Sequence, residues 1–317
     1  MKVIKLREDC NIKIFDTSAE VVGYRIFSIP NISTEQAKFL KQLKNGIRES
    51  ELKGLSDIEL RTLKTLIKNE VITKYDKDAS RNEKWLSHFT HDAATKLEQL
   101  VNKNVLIVGC GGTGAIVADH LARAGVKNFI LIDGAQLDAP DLNRQFPYLK
   151  GDIGQNKAKL LKQKLKENFD CTSIIFDFFV EDIKFEEKLK DYKIDFIINC
   201  ADKPKYKIQK LITQLSINLS IPVLFGAVGI DDYLIGPLLN NKQSKKLYIE
   251  KLDEEEKVSD DRIVNASICF TNTIASADIA MTTYKYLIKE FNENELNKIF
   301  QFQFSSFSKS CILDLNI

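Results

Sequence analysis

The sequence predicts an α/β protein with a doubly wound, mostly parallel β-sheet and a small α+β domain ahead of it. From about residue 103 onward, short apolar runs alternate with helical patterns, an order typical of a parallel sheet that helices cover on both faces. Residues 1–80 instead place short alternating runs first and helical patterns second. We therefore predict two domains, 1–80 and 81–317.

In the first domain we expect three strands followed by two helices. The strands cover residues 2–7, 11–16 and 21–28. The first helix begins after Ser33, a residue that can cap it, and Gln36 follows three residues later as in a capping box. The second begins near Ser56, and its apolar residues at helical spacing are Leu60, Leu63, Leu66 and Ile67. This order resembles a winged-helix module, which can bind DNA or an extended peptide.

The second domain alternates five predicted strands with three predicted helices. The strands are 105–109, 129–133, 173–180, 195–200 and 222–228, and the helices are 112–124, 155–168 and 205–219. The charged segment 240–261 is poor in apolar residues, so we expect a mobile surface loop or crossover there. A helix over 266–290 and strands over 299–304 and 310–315 complete the predicted fold.

The composition excludes a disordered, a collagen-like and a coiled-coil protein. Of the 317 residues, 44% are hydrophobic and 28% are charged, as in an ordinary globular protein. The 46 basic and 44 acidic residues nearly cancel, to a formal charge of +2, so no strong field attracts nucleic acid or an anionic membrane. No apolar run approaches the roughly 18 residues of a membrane span, and the N-terminus has no hydrophobic signal core. We expect a cytoplasmic protein with no nucleic-acid and no membrane partner.

A glycine-rich turn follows the first strand of the second domain. Strand residues 104–108 lead into the pattern G-x-G-x-x-G over 109–114 and then into a helix. Glycines suit this turn because the backbone must approach a phosphate, whose charge the helix N-terminus favours. Asp133 ends the next strand, nineteen residues beyond Gly114, where a carboxylate can accept hydrogen bonds from ribose. Alone, this pattern favours a Rossmann-like dinucleotide-binding dehydrogenase.

Three later segments favour a nucleoside triphosphate instead. Residues 141–146 follow the second strand, 151–157 open a helix, and 199–203 end the fourth strand. In a doubly wound sheet, ligands lie beyond the carboxyl ends of the strands, so these segments can converge on one site. Arg144 and Lys157 supply positive charge for a triphosphate, and Asp202 can hold Mg²⁺. A hydride-transfer site has no need of that set.

The combined motifs resemble the ThiF/MoeB superfamily, the ATP-dependent adenylating enzymes related to ubiquitin-activating enzymes. The resemblance spans about residues 81–290. It implies that Asp133 holds the ribose of ATP, that Arg144 and Lys157 contact the phosphates, and that Asp202 binds magnesium. The nucleotide-binding residues that it implies are Gly109, Gly111, Gly112, Gly114, Asp133, Asn143 and Gln145.

Within the superfamily, a module ahead of the nucleotide domain is most similar to the microcin C-type peptide-modifying enzymes. That resemblance implies a homodimer in which residues 1–80 clamp a short ribosomal peptide, during biosynthesis of a bacteriocin-like product. The expected reaction is attack of a carboxylate on the α-phosphorus of ATP. A general base is not required, because an unperturbed carboxyl group with a pKa near about 4 is ionised at pH 7.

The sequence departs from the family pattern at three places. Asp141 stands where the family usually has Asn, which puts one phosphate contact in doubt. The arginine that the family donates across the dimer is replaced, and Lys84 is our catalytic candidate, with Arg81 close by. The paired zinc ligands Cys-x-x-Cys are absent, so we expect no structural zinc. We expect the scattered cysteines to be small buried apolar residues: Cys10, Cys110, Cys171, Cys200, Cys269 and Cys311.

Two other functions stay open. The protein can be an activator of a ubiquitin-like sulfur carrier protein, whose substrate would end in Gly-Gly. It can also be a non-catalytic protein that recruits a peptide or DNA for a partner enzyme, which the departures at Asp141 and Lys84 would suit. The acceptor, the second nucleophile and the nucleotide preference are not written in the sequence.

Overall fold

The computed structural model describes residues 2–259 and 266–316. The chain divides into two compact units, Met1–Glu98 and Gln99–Ile317. The predicted α/β fold class is confirmed, since the second unit is built on an eight-stranded, mostly parallel sheet. Within the described ranges, every helix is too short or too polar to cross a lipid bilayer.

The first unit contains two small antiparallel sheets and the helices that pack with them. The strands are β1 (Lys2–Leu6), β2 (Cys10–Ile14), β3 (Ser18–Gly23), β4 (Phe27–Pro30), β5 (Ile47–Arg48) and β6 (Ile72–Asp76). The sheet orders are β5-β1-β6 and β2-β3-β4. The helices are α1 (Thr34–Asn45), α2 (Asp57–Lys68) and α3 (Arg81–Leu86), and α4 (Ala93–Val101) spans the boundary between the units.

Both predicted helix starts in this unit are confirmed. The Ser33 hydroxyl accepts a hydrogen bond from the Gln36 N–H, and the Gln36 side chain accepts one from the Ser33 N–H, which completes the capping box. Ser56 caps α2 in the same way. The predicted strand 21–28 is wrong as a single element, because the chain turns after Gly23 and forms β3 and β4. Ile67, expected on the buried face of α2, is 45% exposed.

In the second unit, strands and helices alternate as predicted. The strands are β7 (Asn104–Val108), β8 (Asn128–Ile132), β9 (Thr172–Phe176), β10 (Phe196–Asn199), β11 (Val223–Val228), β12 (Asp232–Leu239), β13 (Lys298–Gln303) and β14 (Ser308–Asp314). The helices are α5 (Gly114–Ala124), α6 (Lys157–Phe169), α7 (Lys207–Asn218), α8 (Lys242–Val258) and α9 (Cys269–Leu287).

The sheet order positions the functional site. It runs β14-β13-β12-β11-β10-β7-β8-β9, with parallel pairing from β11 to β9 and antiparallel pairing from β11 to β14. The chain leaves β7 towards β9 and returns to β10 on the other side of β7, so the topological switch point lies between β7 and β10. In sheets of this kind, ligands bind outside the carboxyl ends of the strands at that point.

The segment 240–261 corrects one prediction. Residues 242–258 form α8 instead of a loop, while residues 260 and 261 lie outside the described residues. The helix is hard to recognise because the fully buried part of its surface consists of Ser244, Lys245, Tyr248 and Leu252, of which only one is aliphatic. The sequence also gave no sign of β12, which contains Gly236 and Pro237, residues that usually argue against a strand interior.

The cysteines are all free thiols, and their burial varies. Cys110 and Cys171 are buried as expected, whereas Cys10, Cys200 and Cys269 are only partly buried. Cys311 is exposed, which corrects the prediction for that residue. It lies on β14, the edge strand of the large sheet, where neither face of the strand is well covered.

Candidate nucleotide site

The glycine turn between β7 and α5 packs closely on the segment that follows β10. Gly109 has a φ of 89°, and a Cβ on it would lie 2.9 Å from the Ala201 backbone nitrogen. A Cβ on Gly114 would lie 1.9 Å from the Gly109 carbonyl oxygen. Any larger residue at these two positions would collide with backbone, so the glycines are required by the turn itself. The turn therefore lies at the switch point, with the N-terminus of α5 behind it.

Asp133 is fixed directly against this turn. Its Oδ2 accepts a hydrogen bond from the Cys110 N–H at 2.7 Å, and its Oδ1 accepts one from the Ala135 N–H at 2.8 Å. Burial raises the pKa of Asp133, and the two backbone hydrogen bonds oppose that rise. Each carboxylate oxygen keeps further acceptor capacity, so the side chain can still receive a ribose hydroxyl.

Asn156 connects the end of β8 to the start of α6. Its Nδ2 donates to the Asp133 carbonyl at 2.9 Å and to the Ala135 carbonyl at 3.3 Å. Its Oδ1 accepts from the Lys159 N–H at 3.1 Å and so caps α6. Lys157 is the first residue of that helix, and the cap holds it at a fixed position relative to Asp133.

Tyr148 makes a second connection to Lys157. The buried hydroxyl lies 2.7 Å from the Cys110 carbonyl oxygen and 3.1 Å from the Lys157 carbonyl oxygen. Burial raises the pKa of Tyr148 well above its ordinary value, so the hydroxyl stays a donor throughout the neutral range. Sequence reasoning missed this residue, because a lone tyrosine in a loop gives no sign of which carbonyl groups it will reach.

Arg144 and Lys157 meet at a single carboxylate. The Arg144 Nη2 lies 3.1 Å from Asp141 Oδ1, and the Lys157 Nζ lies 2.8 Å from Asp141 Oδ2. Arg144 exposes 28% of its side chain, Lys157 12% and Asp141 13%. Burial alone would raise the pKa of Asp141, but its hydrogen bonds and the charges of Lys157 and Arg144 lower it. The two predicted phosphate contacts are thus brought together.

The aliphatic part of the Arg144 side chain lies against the glycine turn. A Cβ on Gly112 would lie 3.1 Å from Arg144 Cγ and 2.7 Å from the Oδ1 of Asn272, a buried residue of α9. Asn143 donates from Nδ2 to the Ser267 carbonyl at 2.8 Å. The start of α9 is therefore part of the site. Sequence reasoning did not identify Asn272, which lies far along the chain in an otherwise ordinary helix.

Two buried amides near these segments have oxygen atoms without a protein partner. Gln145 is 1% exposed and Asn199 is 2% exposed, and neither side-chain oxygen accepts a hydrogen bond from the described residues. The Nε2 of Gln145 lies 3.8 Å from the Cβ position of Gly111. A buried polar atom of this kind usually finds its partner in a ligand or an ordered water.

Asp202 differs from the other predicted residues. It follows Ala201, which contacts Gly109, but its exposed carboxylate makes no hydrogen bond or ion pair within the described part of the chain. No cluster of three or more His, Cys, Asp and Glu side chains suited to a metal occurs among those residues. Mg²⁺ in nucleotide sites commonly takes one or two carboxylates plus phosphates and waters, and an unpaired Asp202 fits that pattern.

Lys84 lies on α3 in the first unit. Its Nζ is 5.7 Å from the centroid of the Tyr75 ring, a cation–π contact inside that unit. Its predicted role across a dimer stays a prediction.

The model of the ThiF family matches residues 80–314. The tRNA threonylcarbamoyladenosine dehydratase of Bacillus subtilis is 32% identical over 137 residues, which are 43% of this chain and 54% of that protein. The adenylyltransferase and sulfurtransferase MOCS3 of Caenorhabditis briggsae is 30% identical over 131 residues, 41% of this chain and 32% of that protein. The chain thus matches about half of one curated relative and a third of the other.

Solved structures of MccB match almost the whole chain. E. coli MccB with ATP has a TM-score of 0.78 at 19% identity and covers 100% of this chain and 97% of that chain. The microcin C7 biosynthetic enzyme MccB in complex with N-formylated MccA gives a TM-score of 0.79 at 19% identity, with the same coverage. At this identity the likeness shows a shared fold.

Proposed function

Since the chain belongs to the ThiF family, we propose that it is an ATP-dependent adenylyltransferase that activates the carboxylate of a short ribosomal peptide. The observation that carries this proposal is the meeting of Arg144 and Lys157 beside the glycine turn. Two cations paired with one carboxylate, with the Arg144 side chain against Gly112 just ahead of α5, suit a polyphosphate group. The MccB structures support ATP as the nucleotide and a peptide as the acceptor.

The proposed reaction transfers an adenylyl group to the peptide. A carboxylate oxygen attacks the α-phosphorus of ATP, the bond from that phosphorus to the bridging oxygen breaks, and its electron pair leaves with pyrophosphate. Arg144 and Lys157 neutralise the charge that develops on the phosphate oxygens, which is the largest contribution that such a site can make. The ionised carboxylate needs no proton acceptor. The product is an acyl adenylate, ready for attack by a second nucleophile.

The remaining site residues take roles consistent with their positions. Asp133, beside the glycine turn, accepts hydrogen bonds from the ribose, and the unpaired oxygen of Gln145 is available to a bound nucleotide. Magnesium, when bound, would neutralise phosphate charge, and Asp202 is the carboxylate that would hold it.

We assign peptide capture to residues 1–80 and propose that the enzyme is a cytoplasmic homodimer, to which Lys84 or Arg81 contributes across the interface. The likeness to MccB over the whole chain, including this part, supports the assignment. A precursor peptide that carries a photoreactive group should cross-link to residues 1–80. Labelling confined to the rest of the chain would contradict the clamp role.

Isotope exchange between pyrophosphate and ATP tests the function. We expect exchange that depends on a candidate peptide encoded beside the gene, because only a bound acceptor allows the adenylate to form and revert. A carrier protein ending in Gly-Gly and a tRNA are the comparison acceptors. Absence of exchange with every acceptor would contradict an adenylyltransferase and favour a non-catalytic recruiting protein.

Activation of a sulfur carrier protein is the second candidate. The 30% identity to an adenylyltransferase and sulfurtransferase favours it. Stimulation of exchange by a Gly-Gly carrier, without stimulation by the peptide, would select this function.

A further inference from the structure

One carboxylate occupies the centre of the proposed phosphate site. Asp141 contacts Arg144 through one oxygen and Lys157 through the other, and its Oδ2 also accepts the Asp138 N–H at 3.2 Å. The backbone hydrogen bond anchors the carboxylate in its own turn. Asp141 is therefore a fixed anion between the two cations that the proposed function assigns to ATP.

The ion pair between Asp141 and Lys157 is largely buried. Asp141 and Lys157 expose only 13% and 12% of their side chains, so water screens their interaction poorly. Without a shared anion, the guanidinium and the ammonium would repel each other and separate. The carboxylate removes that repulsion and reduces the net charge of the three groups to +1.

Both cations keep donors for a ligand while they hold Asp141. Arg144 uses Nη2 for Asp141 and Nη1 for the Asn143 Oδ1 at 2.9 Å, out of five N–H donors. Lys157 has three N–H donors and one ion-pair partner, Asp141, within the described residues. A phosphate can thus join the pair without displacing the carboxylate, but it must then lie close to a like charge.

We propose that Asp141 is a positioning residue that aligns Arg144 and Lys157 while it weakens ground-state binding of the polyphosphate. This role rests on the proposed function. Alignment of the two cations strengthens polyphosphate binding, whereas repulsion from Asp141 weakens it. Both effects favour turnover. Alignment lowers the barrier to adenylyl transfer, and repulsion keeps ATP and pyrophosphate from binding so tightly that release becomes slow.

Replacement of Asp141 by Asn tests both effects. Asn has nearly the same shape, so the fold should be retained. The two cations contact different oxygens of Asp141, and Asn has an uncharged NH₂ donor in place of one of them, so one cation loses its acceptor at that position. We expect ATP to bind about tenfold more tightly to D141N, while the maximal exchange rate falls about fivefold. Adenosine binding should not change, since adenosine carries no phosphate.

A matched control is Asp177→Asn. Asp177 pairs with Lys159, two residues beyond Lys157 on the same helix, at 2.7 Å and with more than half of each side chain exposed. This variant makes the same change in net charge outside the site. Its ATP affinity and its maximal exchange rate should therefore stay within twofold of wild type. Thermal unfolding of each variant checks the fold, and Asp141→Ser repeats the measurement with a shorter neutral side chain.

Calorimetric titration with ATP, inorganic tripolyphosphate and adenosine separates the outcomes. Tighter ATP or tripolyphosphate binding in D141N and D141S, but not in D177N, supports the role of Asp141. Unchanged or weaker binding in both Asp141 variants overturns it, as does an equal gain in D177N. Absence of exchange in wild type with every acceptor refutes the proposed function alone, because the tripolyphosphate titration still reports on Asp141.

Discussion

The two sides of the proposed site are organised differently. On the side of β8 and α6, the predicted residues have polar partners within the protein. Two backbone N–H groups hold Asp133, and Asp141 pairs with both Arg144 and Lys157. On the side of β10, Asp202 is exposed and makes no polar contact within the described residues. In the proposed function, the cations would thus be in place before the ligand binds, whereas the Asp202 carboxylate would gain its partner with the ligand.

The difference follows from the charges involved. Two cations at one place repel each other, and only bound groups such as Asp141 and the turn around it can hold them close. A lone carboxylate at the surface is well hydrated and needs no partner until a metal ion arrives with the nucleotide. The ratio of lost stability to lost activity should therefore differ between variants on the β8 and α6 side of the site and variants on the β10 side.

The largest effect is expected from Arg144→Ala. Loss of a preorganised charge that acts on the transition state should lower the exchange rate by roughly 10² to 10³-fold. The unfolding temperature should change little, because the side chain is 28% exposed and Lys157 still pairs with Asp141. Exchange at the wild-type rate would remove Arg144 from the mechanism.

The next effect is expected from Asp202→Ala. Exchange should fall by roughly a hundredfold, since even residues that only support a metal ligand commonly contribute 10 to 100-fold. Thermal stability should be unchanged, because the carboxylate is exposed and has no hydrogen bond or ion pair with the described residues to lose. A raised magnesium requirement in Asp202→Asn would sharpen the assignment, whereas a magnesium dependence identical to that of wild type would contradict it.

Tyr148→Phe should have a smaller effect on activity and a larger effect on stability. The hydroxyl has one hydrogen to donate, and the shorter contact is with the buried Cys110 carbonyl at 2.7 Å. Its removal leaves that acceptor without this donor, at a cost of about 1–3 kcal/mol. Urea unfolding measures this loss, and ATP affinity should weaken only a few-fold. Tyr192→Phe, at a ring that is 37% exposed, is the control and should be neutral. An equal loss of unfolding free energy in both variants would refute a stabilising role of the Tyr148 hydroxyl.

The smallest effect concerns Lys245, a buried cation with no carboxylate partner within the described residues. Its Nζ donates to the carbonyls of Ser216 and Ile221, and burial lowers the pKa of Lys245 to about 8. The unfolded chain therefore binds more protons above pH 8, so the free energy of unfolding should rise with pH, by up to about 1 kcal/mol per unit. The stabilisation is lost again as pH falls towards 8. Subtracting the profile of Lys245→Met from that of wild type between pH 8 and 9.5 isolates this slope, and a flat difference would contradict it.

The sequence predicted those parts of the molecule that local patterns determine. Buried parallel strands appear as apolar runs, and the glycines at 109 and 114 appear because no side chain fits the turn. Helix α8 escaped recognition because Lys245 and Ser244, both polar, form part of its buried face. Burial of these groups depends on partners from distant elements, such as the Ser216 carbonyl, which no local pattern reveals.

In the site, residue types were predictable and their partners were not. Asp141 was recognisable as a departure from the family pattern, but its contacts with Arg144 and Lys157 depend on the path of the loop between β8 and α6. Asn272 reaches the glycine turn only because α9 packs on α5. Contacts across more than a hundred residues arise from tertiary packing, which spacing in the chain does not encode.

The proposed mechanism requires Arg144 and Lys157 to hold the phosphates of ATP together during adenylyl transfer. The most direct measurement compares incorporation of labelled pyrophosphate into ATP by wild type and by the double variant Arg144→Ala/Lys157→Ala, each with the peptide acceptor and with unfolding temperatures checked. We expect incorporation by wild type and only background label with the folded double variant. Label incorporated by the folded double variant at the wild-type rate would contradict it.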